Sequence, residues 1–242
     1  MTLLLFLIVM LAEGDDSITT YIDNCIYKCE PLNKVLKLLI IHSLTQGGYK
    51  SKQYDALKRE IMHAYGYEAL FTLEHLERLG LLHHQDVKNY YPTVRDNLNL
   101  LTLDLNLMDD HPRDINYVFG GYAPLSCRIA EAAARPGGWQ SIQETLKMLP
   151  GGPAFEITQE TSHAGVRPPV TLVFFVGGVC YSEISALRAL SNMNTTTRSD
   201  FIVGATSIVN AEKLVDAIIE KLPTPQIPSE FLEFEKDPTN PF

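Results

Sequence analysis

One change of hydrophobic period divides this sequence. From about Ser17 to Pro150 the apolar residues recur every three or four positions, as on helices. From Val170 to Val176 (VTLVFFV), and through much of Phe201 to Ala205 (FIVGA), they run on without alternation. Strands of that kind are buried on both faces, and in parallel sheets helices cover them. Each run precedes a helical stretch, Ser182 to Ser191 and Ala211 to Leu222, with Asn210 placed as the N-cap of the second. Strand, helix, strand, helix is a parallel pair joined by a right-handed crossover. The fold class expected is therefore α/β with a large helical region: a helical bundle followed by a β-α-β-α unit of an incomplete parallel sheet. Two strands are too few for such a sheet, so its remainder is expected outside this chain or from a partner.

The helical region, residues 17–150, divides at its glycines and prolines. Pro31 opens a helix carrying Val35, Leu38, Leu39 and His42, which Gly47-Gly48 ends. Ser51 is placed to cap the next, with Leu57, Ile61 and Ala64 on its apolar face and Gly66 beyond its end. Leu70, Leu73, Leu76 and Leu79 form a third stripe, closed by Gly80. Three amphipathic helices with short joints imply an antiparallel bundle. Pro92 starts a weaker helix through Leu103, Asp109-Asp110-His111-Pro112 is a turn, and a Pro124-led helix runs to Ala134. Trp139 to Leu149 reads as another, with Ser141 and Glu144 spaced as a capping box. Residues 151–169 form a polar loop, 170–222 the β-α-β-α part of an α/β domain, and the proline-rich, acidic tail 223–242 is expected to have no fixed fold.

Composition narrows the partners. The formal net charge is −9 and Lys and Arg are scattered, which argues against a nucleic-acid backbone or an anionic membrane. Cys25, Cys29, Cys127 and Cys180 form neither a disulfide framework nor a zinc ribbon, so reduced thiols in a cytosolic compartment are expected. Residues 1–16 stand apart. The run TLLLFLIVMLA (Thr2 to Ala12) falls short of the ~20 residues that span a bilayer. It has the length of a signal-peptide core, but no Lys or Arg precedes it and EGDD is a poor cleavage context. A buried helix, or an aberrant start, are the other readings. The Asn194-Thr195-Thr196 sequon does not alter the balance.

The stretch FFVGGVCYSEI carries the one arrangement suggestive of chemistry, a strand, two glycines and a helix. A dinucleotide fingerprint needs a third glycine, where Tyr181 and Ser182 stand, and an acid at the end of the second strand, where Thr206 and Ser207 stand. A P-loop needs Gly-Lys-Ser/Thr, which is absent. Glu183 falls in the first helical turn, where its own carboxylate satisfies the positive helix end and would repel a phosphate. Gly177 and Gly178 are therefore read as permitting a tight turn and a close strand–helix approach. Cys180 at this elbow could be a nucleophile, but no histidine follows His163, and a small buried cysteine is the preferred reading. A nucleotide-binding or Cys-dependent α/β enzyme centred on Gly177-Gly178 remains the alternative function. His83-His84 with Asp86 lies in a loop and reads as solvated rather than metal-binding. No catalytic, cofactor-binding or metal-binding residue is nominated, and no cofactor is expected.

Several motifs carry a resemblance. TQGGYKSKQYDALKREIMHAYGYEALFTLEHLERLGLL (Thr45 to Leu82), INYVFGGYAPLSCRI (Ile115 to Ile129), RPGGWQSIQETLKMLPG (Arg135 to Gly151) and VTLVFFVGGVCYSEISALRAL (Val170 to Leu190) stand in one order. Together they resemble the C-terminal part of the Sec-one/Munc-eighteen (SM) family, in its vacuolar-sorting branch. The resemblance covers about Tyr21 to Ile219. It leaves out Thr2 to Asp16, and the N-terminal domain and helical arm that embrace SNAREs have no counterpart. Phe119-Gly120 and Cys180-Tyr181 replace the family's usual Tyr-Ser and Thr-Phe, at positions that suit packing. The resemblance implies a non-enzymatic subunit of the HOPS and CORVET tethering complexes. Such a subunit acts with Rab GTPases and SNAREs in fusion at the late endosome and the vacuole or lysosome. The polypeptide would be cytoplasmic and peripheral on those membranes through its complex. The resemblance also places the surface for the tether subunit vacuolar protein sorting-associated protein 16 on Lys58, Tyr67 and Leu70. Tyr67 and Leu70 are three apart on one helical face, an aromatic and an aliphatic anchor, with Lys58 available for a rim charge.

Overall fold

The computed structural model describes residues 16–85, 88–102, 114–135, 137–151, 157, 170–193 and 199–220. Four helices come first: α1 (Asp16–Tyr27), α2 (Leu32–Gln46), α3 (Ser51–Tyr65) and α4 (Glu68–Arg78). Gly47 closes α2 in the left-handed conformation, and its N–H donates to the Ser43 carbonyl. Gly66 follows α3 as expected. Ser51 does not cap α3; Lys50 holds the N-cap position and no side chain bonds there, so Ser51 is the first helical residue. The stripe assigned to α4 also shifts. A strict spacing of three drifts around a 3.6-residue helix, so Leu79 ends 60% exposed while Ala69, Thr72, Leu73 and Leu76 are buried.

These helices close on a core of Ile18, Ile22, Leu36, Leu39, Tyr54, Ile61, Leu73 and Leu76. Gly48 makes room for the next segment, since a Cβ there would lie 2.5 Å from the His83 carbonyl oxygen. The Tyr49 N–H donates to that oxygen at 2.9 Å, and Tyr49 and His84 form an isolated parallel bridge.

Past the bundle, α5 (Tyr91–Asn97) stops well before Leu103. Asn99 turns to positive φ (48°), and Leu101 pairs with Tyr122 in an antiparallel bridge. A short 3-10 segment (Ile115–Phe119) leads to α6 (Leu125–Ala134), which follows Pro124 as its sequence requires. The helix expected over Trp139 to Leu149 is instead a 3-10 turn (Gly138–Ile142) and the single turn α7 (Gln143–Leu146). The capping box does not form: Ile142 is the N-cap, and Ser141 donates to the Gly138 carbonyl. The turn at Asp109 to Pro112 and the tail from Pro223 lie outside the described residues.

β1 (Val170–Phe175) and β2 (Asp200–Ala205) pair in parallel, Val170 opposite Asp200 through Phe175 opposite Ala205. α8 (Tyr181–Met193) crosses between them and buries Ala186, Leu187 and Leu190 against Val173, Phe175, Phe201 and Val203. α6 and Ile115 complete that second core. The strands are not buried on both faces. Val170, Leu172, Phe174 and Ile202 are 55–64% exposed, so one face is bare among the described residues. α9 (Ala211–Ile218) carries the expected Asn210 cap, with the Lys213 N–H donating to Asn210 Oδ1 at 2.8 Å. It packs Val215 into the bundle core rather than onto the sheet. The Asn33 amide donates to the Asp216 carboxylate, tying α9 to α2.

Candidate functional site

The turn after β1 is built as its sequence implies. Gly177 and Gly178 adopt φ of 107° and 139°, and a Cβ on Gly178 would lie 2.8 Å from Val209 and 2.9 Å from Ser207. The close neighbour is thus the loop after β2, not the helix itself. That loop answers with polar contacts: the Gly177 N–H donates to Thr206 Oγ1 at 2.9 Å, and Ser207 Oγ donates back to the Gly177 carbonyl. Thr206 and Ser207, which stand where a dinucleotide site needs an acid, are spent on fastening the turn.

The helix end beyond it is occupied by the chain itself. Glu183 Oε2 accepts the Cys180 N–H at 2.8 Å, and Glu183 Oε1 accepts from Ser126 Oγ at 2.5 Å. The carboxylate reaches from the third helical residue back to the N-cap, as in the acidic half of a capping box. An incoming phosphate would have to displace it and meet its charge. Cys180 is half-buried, with Sγ 2.6 Å from Ser182 Oγ. Its neighbours are groups that resist ionisation: burial pushes the Cys127 thiol up to about 12 and the Tyr122 phenol up to about 12. Cys127 donates to the Glu183 carbonyl at 3.4 Å. The geometry supplies packing and capping, and among the described bonds the Cys180 sulfur meets the Ser182 hydroxyl rather than an imidazole or a carboxylate.

His83 and His84 are not solvated loop residues. Both are half-buried; His84 stands edge-on to Tyr54 with ring centroids 4.9 Å apart, and Ser43 Oγ accepts the His83 N–H. Asp86 lies outside the described residues, and no cluster of three metal-ligating side chains occurs among those described.

The surface carrying Lys58, Tyr67 and Leu70 has a different character. Tyr67 precedes α4 as its N-cap residue and is 63% exposed; its carbonyl accepts the Leu70 N–H at 3.0 Å. Leu70 is half-buried and packs against the bundle core. Lys58 is held by Glu77 at 2.6 Å and lies over the Tyr54 ring, 4.5 Å from its centroid. Glu77 is seven residues after Leu70 and so shares its side of α4. Lys58 therefore lies on the Leu70 side of α4 but at its other end, since Glu77 is ten residues, about 15 Å, along the helix from Tyr67. Burial raises the Glu77 carboxyl, but hydrogen bonds from Lys58 and Tyr54 outweigh it and leave its pKa lowered. Sequence reasoning missed two members of this region. Phe71, 44% exposed, follows Tyr67 by four residues on the outer face, and Glu77 anchors Lys58. The i, i+4 spacing of Tyr67 and Phe71 was the signal available.

The fold is thus a helical bundle joined to a parallel β-α-β-α unit, whose nucleotide-like turn is filled by its own carboxylate. Residues 7–217 match the Sec1 family, and the chain belongs to that family. The match begins within the apolar opening run, earlier than the resemblance read from the sequence. Similar proteins include vacuolar protein sorting-associated protein 33A of Rattus norvegicus, 44% identical over 213 residues, or 85% of this chain and 35% of that protein. The vacuolar protein-sorting-associated protein 33 homolog of Arabidopsis thaliana is 39% identical over 225 residues, 87% and 37% of the two chains. Vacuolar protein sorting-associated protein 33B of Homo sapiens is 31% identical over 238 residues, 84% and 38%. The chain spans little more than a third of the length of these relatives. No helix among the described residues is long and apolar enough to cross a membrane.

Proposed function

We propose that the chain is a binding scaffold in vacuolar protein sorting, docking on a tether subunit rather than turning over a substrate. The observation that carries this reading is the surface at the α3–α4 corner. There an exposed aromatic, Tyr67, precedes a core-anchored Leu70 by three residues, and a lysine held in place by Glu77 lies almost three turns further along α4. An exposed aromatic next to a fixed aliphatic, with an ordered charge pair at the far edge, suits a partner-binding patch. The names of the relatives supply the process, and the SM-family resemblance supplies the partner. That partner is vacuolar protein sorting-associated protein 16, within HOPS- or CORVET-type complexes peripheral on late-endosomal and vacuolar or lysosomal membranes. SNARE engagement belongs to this proposal only for a polypeptide that also carries the family's N-terminal domain and arm.

Recovery of the chain on immobilised vacuolar protein sorting-associated protein 16, wild type against Tyr67→Asp, tests the surface. Truncating an interface hot spot costs about 2 kcal/mol or more, so the variant should bind at least about thirtyfold more weakly. Equal recovery of the two proteins would remove Tyr67 from the interface.

A further inference from the structure

The outer face of the β1–β2 pair is a continuous apolar surface. Val170, Leu172, Phe174 and Val176 project from β1 and its end, and Ile202 from β2, each 55–85% exposed. The inner face of the same strands carries Val173, Phe175, Phe201 and Val203, which α8 and α6 cover. Side chains of ~150–200 Å² exposed to that degree leave roughly 550 Å² of apolar surface bare, near the upper limit for a soluble monomer. Asp200 projects on this side at the start of β2, Thr206 stands just beyond its end, and neither strand contains Lys or Arg. A formal net charge of −9 with no flanking cation makes an anionic membrane a poor cover.

The surface fits its own copy. With Asp200, Gly204 and Thr206 included, two such faces remove about 1,200 Å² from water, the lower end of what a specific interface needs. A two-fold axis lying in the face and perpendicular to the strands sets β1 over β1 and β2 over β2, each running against its mate. Leu172 then faces Phe174 of the other copy, and Ile202 faces the position of Gly204, which has no side chain of its own. Asp200 faces the Thr206 end. An axis along the strands would instead bring the two Asp200 carboxylates together, at a like-charge cost.

We propose that two copies of this chain pair face to face through Val170, Leu172, Phe174, Val176 and Ile202, with the strands of the two sheets antiparallel. The sheets stack ~10 Å apart, each with its α8 on the far side. The pairing supplies the two-sided burial that the unbroken apolar runs call for. It uses neither Tyr67 nor Lys58, and so stands or falls apart from the function proposed above.

Sedimentation velocity on the full chain reads the pairing. An interface of this size gives micromolar affinity, so the wild type should pass from monomer to dimer between about 1 and about 100 μM. Leu172→Glu/Ile202→Glu should stay monomeric throughout, with an unchanged circular dichroism spectrum, because both side chains are exposed. Benzoylphenylalanine placed at Asp200 reads the direction of the strands without disturbing the apolar centre. Mixing isotope-labelled and unlabelled chains identifies links between copies, and attachment to residues 204–208 of the second copy is expected. A wild type that remains monomeric at the highest concentration overturns the proposal, as does a dimer that the double variant leaves intact. Attachment to residues 199–201 of the second copy, or only within one chain, overturns it as well.

Discussion

Replacing Glu183 with Gln tests the reading of the β1–α8 turn where it is most exposed to failure. The carboxylate accepts two hydrogen bonds, from the Cys180 N–H at 2.8 Å and from Ser126 Oγ at 2.5 Å. Gln can keep its amide oxygen on the Cys180 N–H and donate its NH2 to Ser126 Oγ, so both contacts persist in neutral form. Exchanging each charge-assisted bond for a neutral one costs about 1–1.5 kcal/mol, and removing the anion from the helix N-terminus adds about 0.3–1 kcal/mol. Because Glu183 is only half-buried, the lower part of that range applies, about 2 kcal/mol. Urea unfolding followed by circular dichroism reads this directly. With a slope of about 2 kcal/mol per molar, the midpoint should fall by about 1 M. A midpoint within about 0.2 M of wild type would show that the carboxylate does not hold the helix end, and the argument against an anion there would fail with it. Equilibrium dialysis of the wild-type chain with labelled ATP supplies the companion measurement. Retention of the nucleotide at micromolar concentrations would refute the reading outright.

Arg128 is buried and serves Glu131, Asp114, Asn116 Oδ1 and the Asn99 carbonyl, so Arg128→Met should cost about 1–3 kcal/mol in urea unfolding, by leaving the buried Asn116 Oδ1 without its donor and Glu131 with Arg135 alone. Gly178→Ala meets both a positive φ and the Val209 side chain, and a loss of about 2–3 kcal/mol is expected in the same assay. Burial holds the His42 imidazole below its ordinary value of 6.5. The fold therefore favours the neutral ring; its contribution is fully present above pH 6.5 and is lost as pH falls from there toward the folded value. The melting temperature should drop between pH 7 and 5.5, less steeply in His42→Gln.

What the sequence disclosed was local. Gly47, Gly66, Pro124, Asn210 and Glu183 act on backbone within four residues of themselves, and each does what its chemistry dictates. The errors fall where a distant segment decides. Asn99 to Leu101 leaves the helix because the Asn99 carbonyl is taken by Arg128 and Leu101 pairs with Tyr122, contacts more than twenty residues away. Helix propensity carries no record of such partners. His84 looked solvated because its loop is polar, yet Tyr54, thirty positions earlier, packs against it. On the candidate surface, the exposure of Tyr67 and the Lys58–Glu77 pair depend on how α3 lies against α4, and no single helix encodes that.

The strands show the same limit from the other side. VTLVFFV lacks alternation, which marks both of its faces as fit for burial. The structure covers only the face carrying Val173 and Phe175, and leaves Leu172 and Phe174 about 60% exposed. Phe174 lies across Gly204 on the partner strand, where a Cβ would come within 2.7 Å of its ring. The pair is shaped for a flat, close-packed surface rather than for water. A hydrophobic pattern thus records what each residue will tolerate around it, and says nothing of which segment provides it. In α9 the ambiguity resolves toward the bundle, through Val215. On the outer sheet face no described residue of this chain resolves it.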